Sequence, residues 1–270
     1  MDFAEIARRG LVILGCGKMG SALLEGWLAG GLDPQAVRVV EPRPSAWLSA
    51  QGVQLSGPLP EGAAVVLLAV KPQMMAEAMP QVTAAVGPDT LVISIAAGTP
   101  LAAFEAAFGA ATPIVRAMPN TPAAVGRGIS ALVGNAAAGT AELDLAEALM
   151  GAVGATVRLQ DEDQINIVTA LSGGGPAYVF HLIEAMAAAG AAQGLPEDLA
   201  MRLARATVCG AGELGHRSQE SAEQLRVNVT SPGGTTAAAL AQLMDPDTGL
   251  PPLMARAVAA ATARARELAG

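Results

Sequence analysis

The sequence predicts an α/β chain in two parts, a doubly wound sheet domain followed by an all-helical one. Three observations predict it. Short, continuously apolar runs alternate with helical stretches over residues 10–160, as strands buried on both faces of a parallel sheet require. After about residue 161 the strand pattern stops, and helices punctuated by Gly and Pro follow. A Gly15-Cys16-Gly17-Lys18-Met19-Gly20 string ends the first apolar run and opens the first helical one.

The elements fall out in order. MDFAEIARRGLVILG carries an early acid and a short apolar run leading into glycines; it reads as a first strand, not a signal peptide. Strands are predicted at 11–14, 37–40, 64–70, 90–95, 112–118, 129–133 and 156–159. Helices between them include 20–29, 73–85 and 139–151. The acidic run Asp161–Asp163 has no flexible linker and divides the chain into 1–161 and 162–270. The second part predicts helices at 162–171, 176–193, 196–214, 221–228, 235–244 and 252–268. Pro176, Pro196 and Pro252 stand where first-turn prolines are tolerated. SAEQ at 221–224 fits a capping box.

Composition excludes several classes of function. The chain has 270 residues, 52% hydrophobic and 15% charged, which rules out disorder. Aromatics are 3%, so Ala, Val, Leu and Met must build the core. A mean hydropathy of +0.42 leaves more apolar surface than a monomer hides, which predicts an oligomer. Net charge −8 without a Lys/Arg run argues against nucleic acid. No apolar stretch reaches the ~18 residues of a membrane span: 63–70 is too short, and Glu184 interrupts the next candidate. Cys16 and Cys209 lie far apart and make no disulfide framework, which predicts a reducing cytoplasm. His181 and His216 alone make no metal site.

In the glycine string, Gly15 permits the tight turn, Gly17 lets backbone N–H groups approach a pyrophosphate, and Gly20 allows close helix–strand packing. The alternative is a glycine-rich βα turn with no ligand. At the end of the second strand, Glu41 is placed to bind ribose hydroxyls, as with NAD. Arg43 favours a 2′-phosphate, so the two oppose each other; the balance leans to NADH, with NADPH as the alternative. Lys71 before Pro72 puts a charge at the carboxyl edge of the sheet, or is a solvated loop lysine. Asn120 and Thr121 line a nicotinamide end or simply cap loops. In the helical part, 170–180 (ALSGGGPAYVF) is a second glycine-rich helix start, and 229–240 (VTSPGGTTAAAL) a third. Neither supplies a His, Cys or carboxylate with a catalytic neighbour. They offer hydrogen-bond donors, which suits hydride transfer to a small anionic electrophile.

The order GxGxMG, AVKP, MPNTP, SGxGPAY, GLP and TSPGGTT resembles pyrroline-5-carboxylate reductase, the last enzyme of proline synthesis, over nearly the whole chain. The resemblance implies an N-terminal Rossmann dinucleotide-binding domain and an all-α C-terminal dimerisation domain, with homodimers that often build decamers. It implies NAD(P)H-dependent reduction of 1-pyrroline-5-carboxylate to L-proline. Residue by residue, it places substrate binding on Ser231, Gly233, Gly234, Thr235 and Thr236, with Thr236 facing the imine. Cofactor contacts fall on Gly15, Gly17, Lys18, Met19, Gly20, Glu41, Arg43, Val70, Lys71, Pro72, Ala96 and Asn120. Backbone N–H groups at the TSPGGTT helix start would hold the substrate carboxylate; helix N-termini favour anions by ~0.3–1 kcal/mol before direct hydrogen bonds are counted. A threonine hydroxyl is a poor acid, so the expectation is a substrate that arrives as iminium and is oriented by Thr236.

Three positions depart from the family pattern. Gly174 stands where Ser is common, Arg127 where many relatives carry Glu, and Glu41 where NADPH-preferring members are often neutral. Two other readings compete. A β-hydroxyacid dehydrogenase needs a helix lysine, and no lysine follows residue 160. A non-enzymatic nucleotide-binding protein on the same fold would gain nothing from the hydroxyls and glycines of TSPGGTT.

Overall fold

The computed structural model describes residues 3–55 and 57–269. Its strands are β1 (Leu11–Leu14), β2 (Val37–Val40), β3 (Val65–Leu68), β4 (Leu91–Ser94), β5 (Ile114–Met118), β6 (Gly128–Gly134) and β7 (Gly154–Arg158). Each falls on a predicted run. They form one sheet in the order β2-β1-β3-β4-β5-β6-β7. The first five strands are parallel, with Leu11 in register with both Val37 and Val65. The sheet is parallel as far as β5, and β6 then runs antiparallel to β5. The connection, residues 119–127, is shorter than the dozen or so residues a parallel crossover needs, so the chain doubles back. β7 then pairs parallel to β6.

The sheet helices are α1 (Ala4–Arg9), α2 (Lys18–Ala29), α3 (Ala46–Ser49), α4 (Met75–Ala78), α5 (Leu101–Phe108) and α6 (Thr140–Met150). α1 corrects the reading of the N-terminus as strand alone. Glu5 pairs with Arg8 and Arg9 three and four residues on, which favours a helical turn before Gly10 ends it at φ +87°. The helix predicted at 73–85 is broken: α4 is one turn, flanked by 3-10 turns at Pro72–Met74 and Met79–Ala85. Pro80, with no N–H and a ring that clashes with the preceding turn, prevents a continuous α-helix.

Alternation along the strands splits the core between two faces. Leu11, Ile13, Val65 and Leu67 pack with Leu23, Leu24 and Trp27 of α2 and with Leu149 and Met150 of α6. Val12, Leu14, Val66 and Leu68 pack with Met75, Val82 and Phe104 on the other face. Trp27 Nε1 donates to the Leu149 carbonyl at 2.8 Å, fixing α2 against α6. Each such fully buried side chain contributes roughly 1.5–3 kcal/mol. The result is a rigid sheet with its carboxyl edge free to carry loops.

The described chain forms two compact units. The first runs to Gly173 and takes in the segment from Ala261 onward; the second is Gly174–Ala260. The first unit therefore includes α7 (Gln164–Val168) and one π-helical turn, Thr169–Gly173. The second is helical: α8 (Gly175–Ala192), α9 (Glu197–Arg217), α10 (Ala222–Asn228) and α11 (Thr235–Leu243), with the first part of α12 (Leu250–Ala269). These match the predicted helices to within a few residues. α8 and α9 pack through Ile183, Ala187, Ala204 and Val208, while Phe180, Leu203, Leu214 and Val229 remain exposed. Among the described residues no helix is long and apolar enough to cross a membrane.

Candidate functional site

β1 delivers the chain into the first glycine loop, and three glycines there do three different things. Gly15 has φ +83°, and a Cβ on it would lie 2.6 Å from Val70 Cγ1. A Cβ on Gly20 would lie 3.0 Å from the Gly15 carbonyl oxygen. Gly17 has nothing within 4 Å of such a Cβ. It is the N-cap of α2, and no side chain caps it. The first turn of α2 contains no acid, and Lys18 is exposed there. The loop is closed from below and open above, with helix N–H groups facing the opening. These features fit a pyrophosphate.

Glu41, just after β2, ties the loop down. Its Oε2 accepts from the Cys16 N–H at 3.0 Å, and its Oε1 accepts from the Arg43 N–H at 3.1 Å. An ionised carboxylate has about four acceptor positions, so each oxygen keeps capacity for a ribose hydroxyl. Ser21 Oγ donates to the Cys16 carbonyl at 3.1 Å. Burial pushes the Cys16 thiol above its ordinary pKa, and the Glu41 charge adds to this, against a lowering contact from Ser21. This environment disfavours the thiolate. A hollow of about 680 Å³ opens beside the loop, lined by Cys16, Gly17, Lys18, Ser21, Glu41, Arg43, Ser45 and Trp47 among others.

Further along the carboxyl edge, Val70 supports Gly15, and Lys71 and Pro72 are exposed at the start of a 3-10 turn. Ala96 is buried, and its N–H donates to Ser94 Oγ at 3.3 Å. Met19 packs partly on the core, so what it presents to the loop is backbone. Asn120 has structural partners on both sides of its amide. Nδ2 donates to the Ser172 carbonyl at 3.2 Å, and Oδ1 accepts from the Ile129 N–H at 3.0 Å. A Cβ on Gly173 would lie 2.7 Å from Met118 Cε. The second glycine-rich turn is thus packed on the exit of β5, and Asn120 joins them.

The TSPGGTT segment is built differently. Thr230 Oγ1 donates to the Arg226 carbonyl at 2.6 Å and closes α10. Gly233 takes φ +68°, and the Gly234 N–H donates to the Ser231 carbonyl at 3.0 Å. Gly234 is the N-cap of α11 with no side-chain cap. α10 contrasts with it, since Ser221 Oγ accepts from the Gln224 N–H at 3.1 Å, one half of the predicted capping box, while the Gln224 side chain donates to Asn228 instead. The hydroxyls of Ser231, Thr235 and Thr236 have no hydrogen-bond partner among the described residues. Thr235 is exposed and Thr236 half-buried.

Sequence reasoning passed over Ser45 and Trp47 in the hollow. It also passed over Arg116, buried mid-strand in β5 and paired with Glu162, which accepts from the Leu101 N–H at 2.7 Å. A lone arginine in the apolar run TPIVRAM was the available signal, because a buried charge demands a partner. No group of three or more His, Cys, Asp or Glu suited to a metal occurs among the described residues.

Comparison with known proteins places this geometry. Residues 162–268 match the family model for pyrroline-5-carboxylate reductase dimerisation, and residues 10–98 that for NADP oxidoreductase, coenzyme F420-dependent. The chain is 38% identical to a pyrroline-5-carboxylate reductase of Pseudomonas aeruginosa over 265 residues, covering 96% of each chain. It superposes on the structure of a pyrroline-5-carboxylate reductase from Coxiella burnetii with TM-score 0.88 at 35% identity, covering 97% of this chain and 99% of that one. The Plasmodium falciparum pyrroline carboxylate reductase, solved with NADP bound, gives TM-score 0.80 at 26% identity, covering 98% and 99%.

Proposed function

This chain belongs to the pyrroline-5-carboxylate reductase family, and from that premise we propose how its residues divide the work between two uncapped helix starts. The reaction is the NAD(P)H-dependent reduction of 1-pyrroline-5-carboxylate to L-proline, the last step of proline biosynthesis. A nicotinamide dinucleotide is the cofactor. When bound, it supplies the hydride that the ring imine carbon accepts.

The cofactor is held by Gly15, Gly17, Lys18, Met19 and Gly20 around its pyrophosphate, and by Glu41 and Arg43 at the adenosine ribose. Val70, Lys71, Pro72, Ala96 and Asn120 form the rest of the carboxyl-edge wall; Asn120 acts through loop position, since both ends of its amide are engaged. Glu41 holds a negative charge where a 2′-phosphate would have to come, which favours NADH over NADPH. Arg43 opposes that preference.

The substrate carboxylate is held by backbone N–H groups of Gly233 and Thr235 with the Ser231 and Thr235 hydroxyls, while Gly234, whose N–H is engaged by the Ser231 carbonyl, shapes the turn and leaves room for the ligand. Thr236 accepts a hydrogen bond from the iminium N–H and orients the ring. The substrate brings its own proton, so no residue has to act as an acid. The observation that carries this reading is the start of α11. A nine-residue helix begins at a bare glycine with three hydroxyls beside it and no capping side chain.

The family match makes the protein a homo-oligomer. We assign the dimer contact to the helical domain, taken as 162–270 after a dinucleotide domain of 1–161, with decamers as further assembly. Exposed Phe180, Leu203 and Leu214 in the helical unit support it, and sedimentation equilibrium on the F180D variant tests it. A cytoplasmic setting fits two free cysteines.

The test of the function is absorbance at the reduced-nicotinamide band with 1-pyrroline-5-carboxylate, run in parallel with NADH and NADPH. Substrate-dependent oxidation, faster with NADH, is the expected result. Equal or faster oxidation with NADPH removes Glu41 from the discriminating role.

A further inference from the structure

We propose that Trp47 is an adenosine-contacting residue, the aromatic wall on which the adenine of the dinucleotide rests. The proposal rests on the reading of the Gly15–Gly20 loop as the pyrophosphate site and extends it to a side chain outside the glycine motif.

The two tryptophans of the chain differ in every respect that matters. Trp27 is 1% exposed and its indole N–H is bonded to the Leu149 carbonyl; it is a core residue. Trp47 is half-buried, and its indole N–H has no hydrogen-bond partner among the described residues. The residue packs against the core and also lines the hollow that holds Gly17, Lys18, Glu41 and Arg43. In a chain with 3% aromatic residues, a large flat ring facing that hollow is the obvious partner for a purine.

The local fold presents the ring and holds it. Ser45 caps the short helix α3, its Oγ accepting from the Leu48 N–H at 3.1 Å. Leu48 is fully buried and anchors the turn. The Trp47 carbonyl accepts from Gln51 Nε2 at 2.9 Å. Glu41, fixed to the Cys16 and Arg43 N–H groups, sets the ribose position at the floor of the same hollow. An aromatic side chain recognises a base by stacking, with no need for a matched hydrogen-bond pattern.

The test uses tryptophan emission and dinucleotide affinity on the full-length protein. NADH binding should quench wild-type emission. Trp47→Leu should abolish that quench, because only Trp27 then emits. It should also weaken binding by about fivefold or more, as loss of a base-stacking aromatic does. Trp47→Phe should lose the quench yet restore most of the affinity; it conserves packing if the leucine variant is unstable. A persistent quench in Trp47→Leu, or unchanged affinity in a folded Trp47→Leu, overturns the proposal. Gly17→Val separates the two readings. It should abolish NADH binding measured by calorimetry, and if it binds normally the pyrophosphate reading itself fails.

Discussion

Two helix starts in this molecule differ in how they are finished. α2 and α11 both begin at a glycine N-cap with no capping side chain, as α6 and α8 also do. Around Gly17 the unit completes the site itself. Val70 fills the space under Gly15, Gly20 presses on the Gly15 carbonyl, and Glu41 holds the Cys16 N–H. Around Gly234 the closure is only local: a Cβ there would lie 3.1 Å from the Ser231 carbonyl oxygen, Gly233 has no neighbour within 4 Å of a Cβ, and the hydroxyls of Ser231, Thr235 and Thr236 lack partners among the described residues. A dinucleotide loop must be rigid before a long ligand lies across it, since ordering it on binding would cost affinity. A loop that grips one small anion needs only donors facing the right way.

The largest effect should come from filling the one open position in the rigid loop. Gly17→Val places a branched side chain over the helix N–H groups and should weaken dinucleotide binding by about a hundredfold or more. Stability should fall by only ~1 kcal/mol, because no atom lies within 4 Å. Calorimetric titration beside a thermal melt checks both. Unfolding rather than loss of binding would mean that Gly17, like Gly15, serves the backbone.

On the other loop, Thr236→Val removes a hydroxyl and leaves the shape. It should cost roughly 1–3 kcal/mol of transition-state stabilisation, read in kcat/KM. On the proposal that the proton comes with the iminium, kcat/KM should fall as pH rises through the substrate's own titration. The variant should keep the position of that limb. A limb that moves with the substitution would make Thr236 part of the proton path, contrary to the role given it here.

A smaller change tests the clamp. Glu41→Ser removes the negative charge from the ribose end, and with it the acceptor of the Cys16 N–H. The ratio of NADPH to NADH use should rise by about tenfold, equivalent to ~1.4 kcal/mol. An unchanged ratio would leave Glu41 with its loop-holding bonds alone.

Much of this contrast was legible in the sequence, and the reasons are physical. The strands could be read because β1, β3 and β4 are buried on both faces and therefore apolar throughout, save for Ser94 at the end of β4. The glycines were legible because only glycine fits a turn such as Gly15. Strand direction was not, because the reversal at β6 depends on the length of a connection rather than on a pattern. The broken helix at 73–85 was signalled by Pro80 and overridden by its apolar spacing. Asn120 could be named as a loop residue but not resolved between cofactor and scaffold; one of its partners, Ile129, is nearby in the next strand, but the other, Ser172, comes from a distant part of the chain. Trp47 lay outside every motif, and only the folded hollow gives it neighbours.

The smallest expected effect sharpens the comparison from within the helical unit. There the turn after α11 is closed by a side chain: Asp245 Oδ1 accepts from the N–H groups of Asp247 and Thr248 and from Thr248 Oγ1. The Thr248 backbone bond foremost, then its hydroxyl, then Asp247, holds the Asp245 carboxyl below the ordinary aspartate range. A depressed carboxyl contributes stability that is complete above its unfolded pKa and disappears as pH falls through the folded value. Asp245→Asn keeps an acceptor oxygen but has no charge to titrate. The melting temperature of wild type should therefore exceed that of Asp245→Asn slightly at neutral pH, and the gap should close on acidification below about pH 4. A gap that stays constant with pH would show that geometry, not charge, closes this turn. A gap that closes with acid would show that charge finishes this turn, whereas the start of α11, like those of α8 and α9, has no side chain to finish it. What sets α11 apart is the group of hydroxyls, Ser231, Thr235 and Thr236, beside its bare glycine.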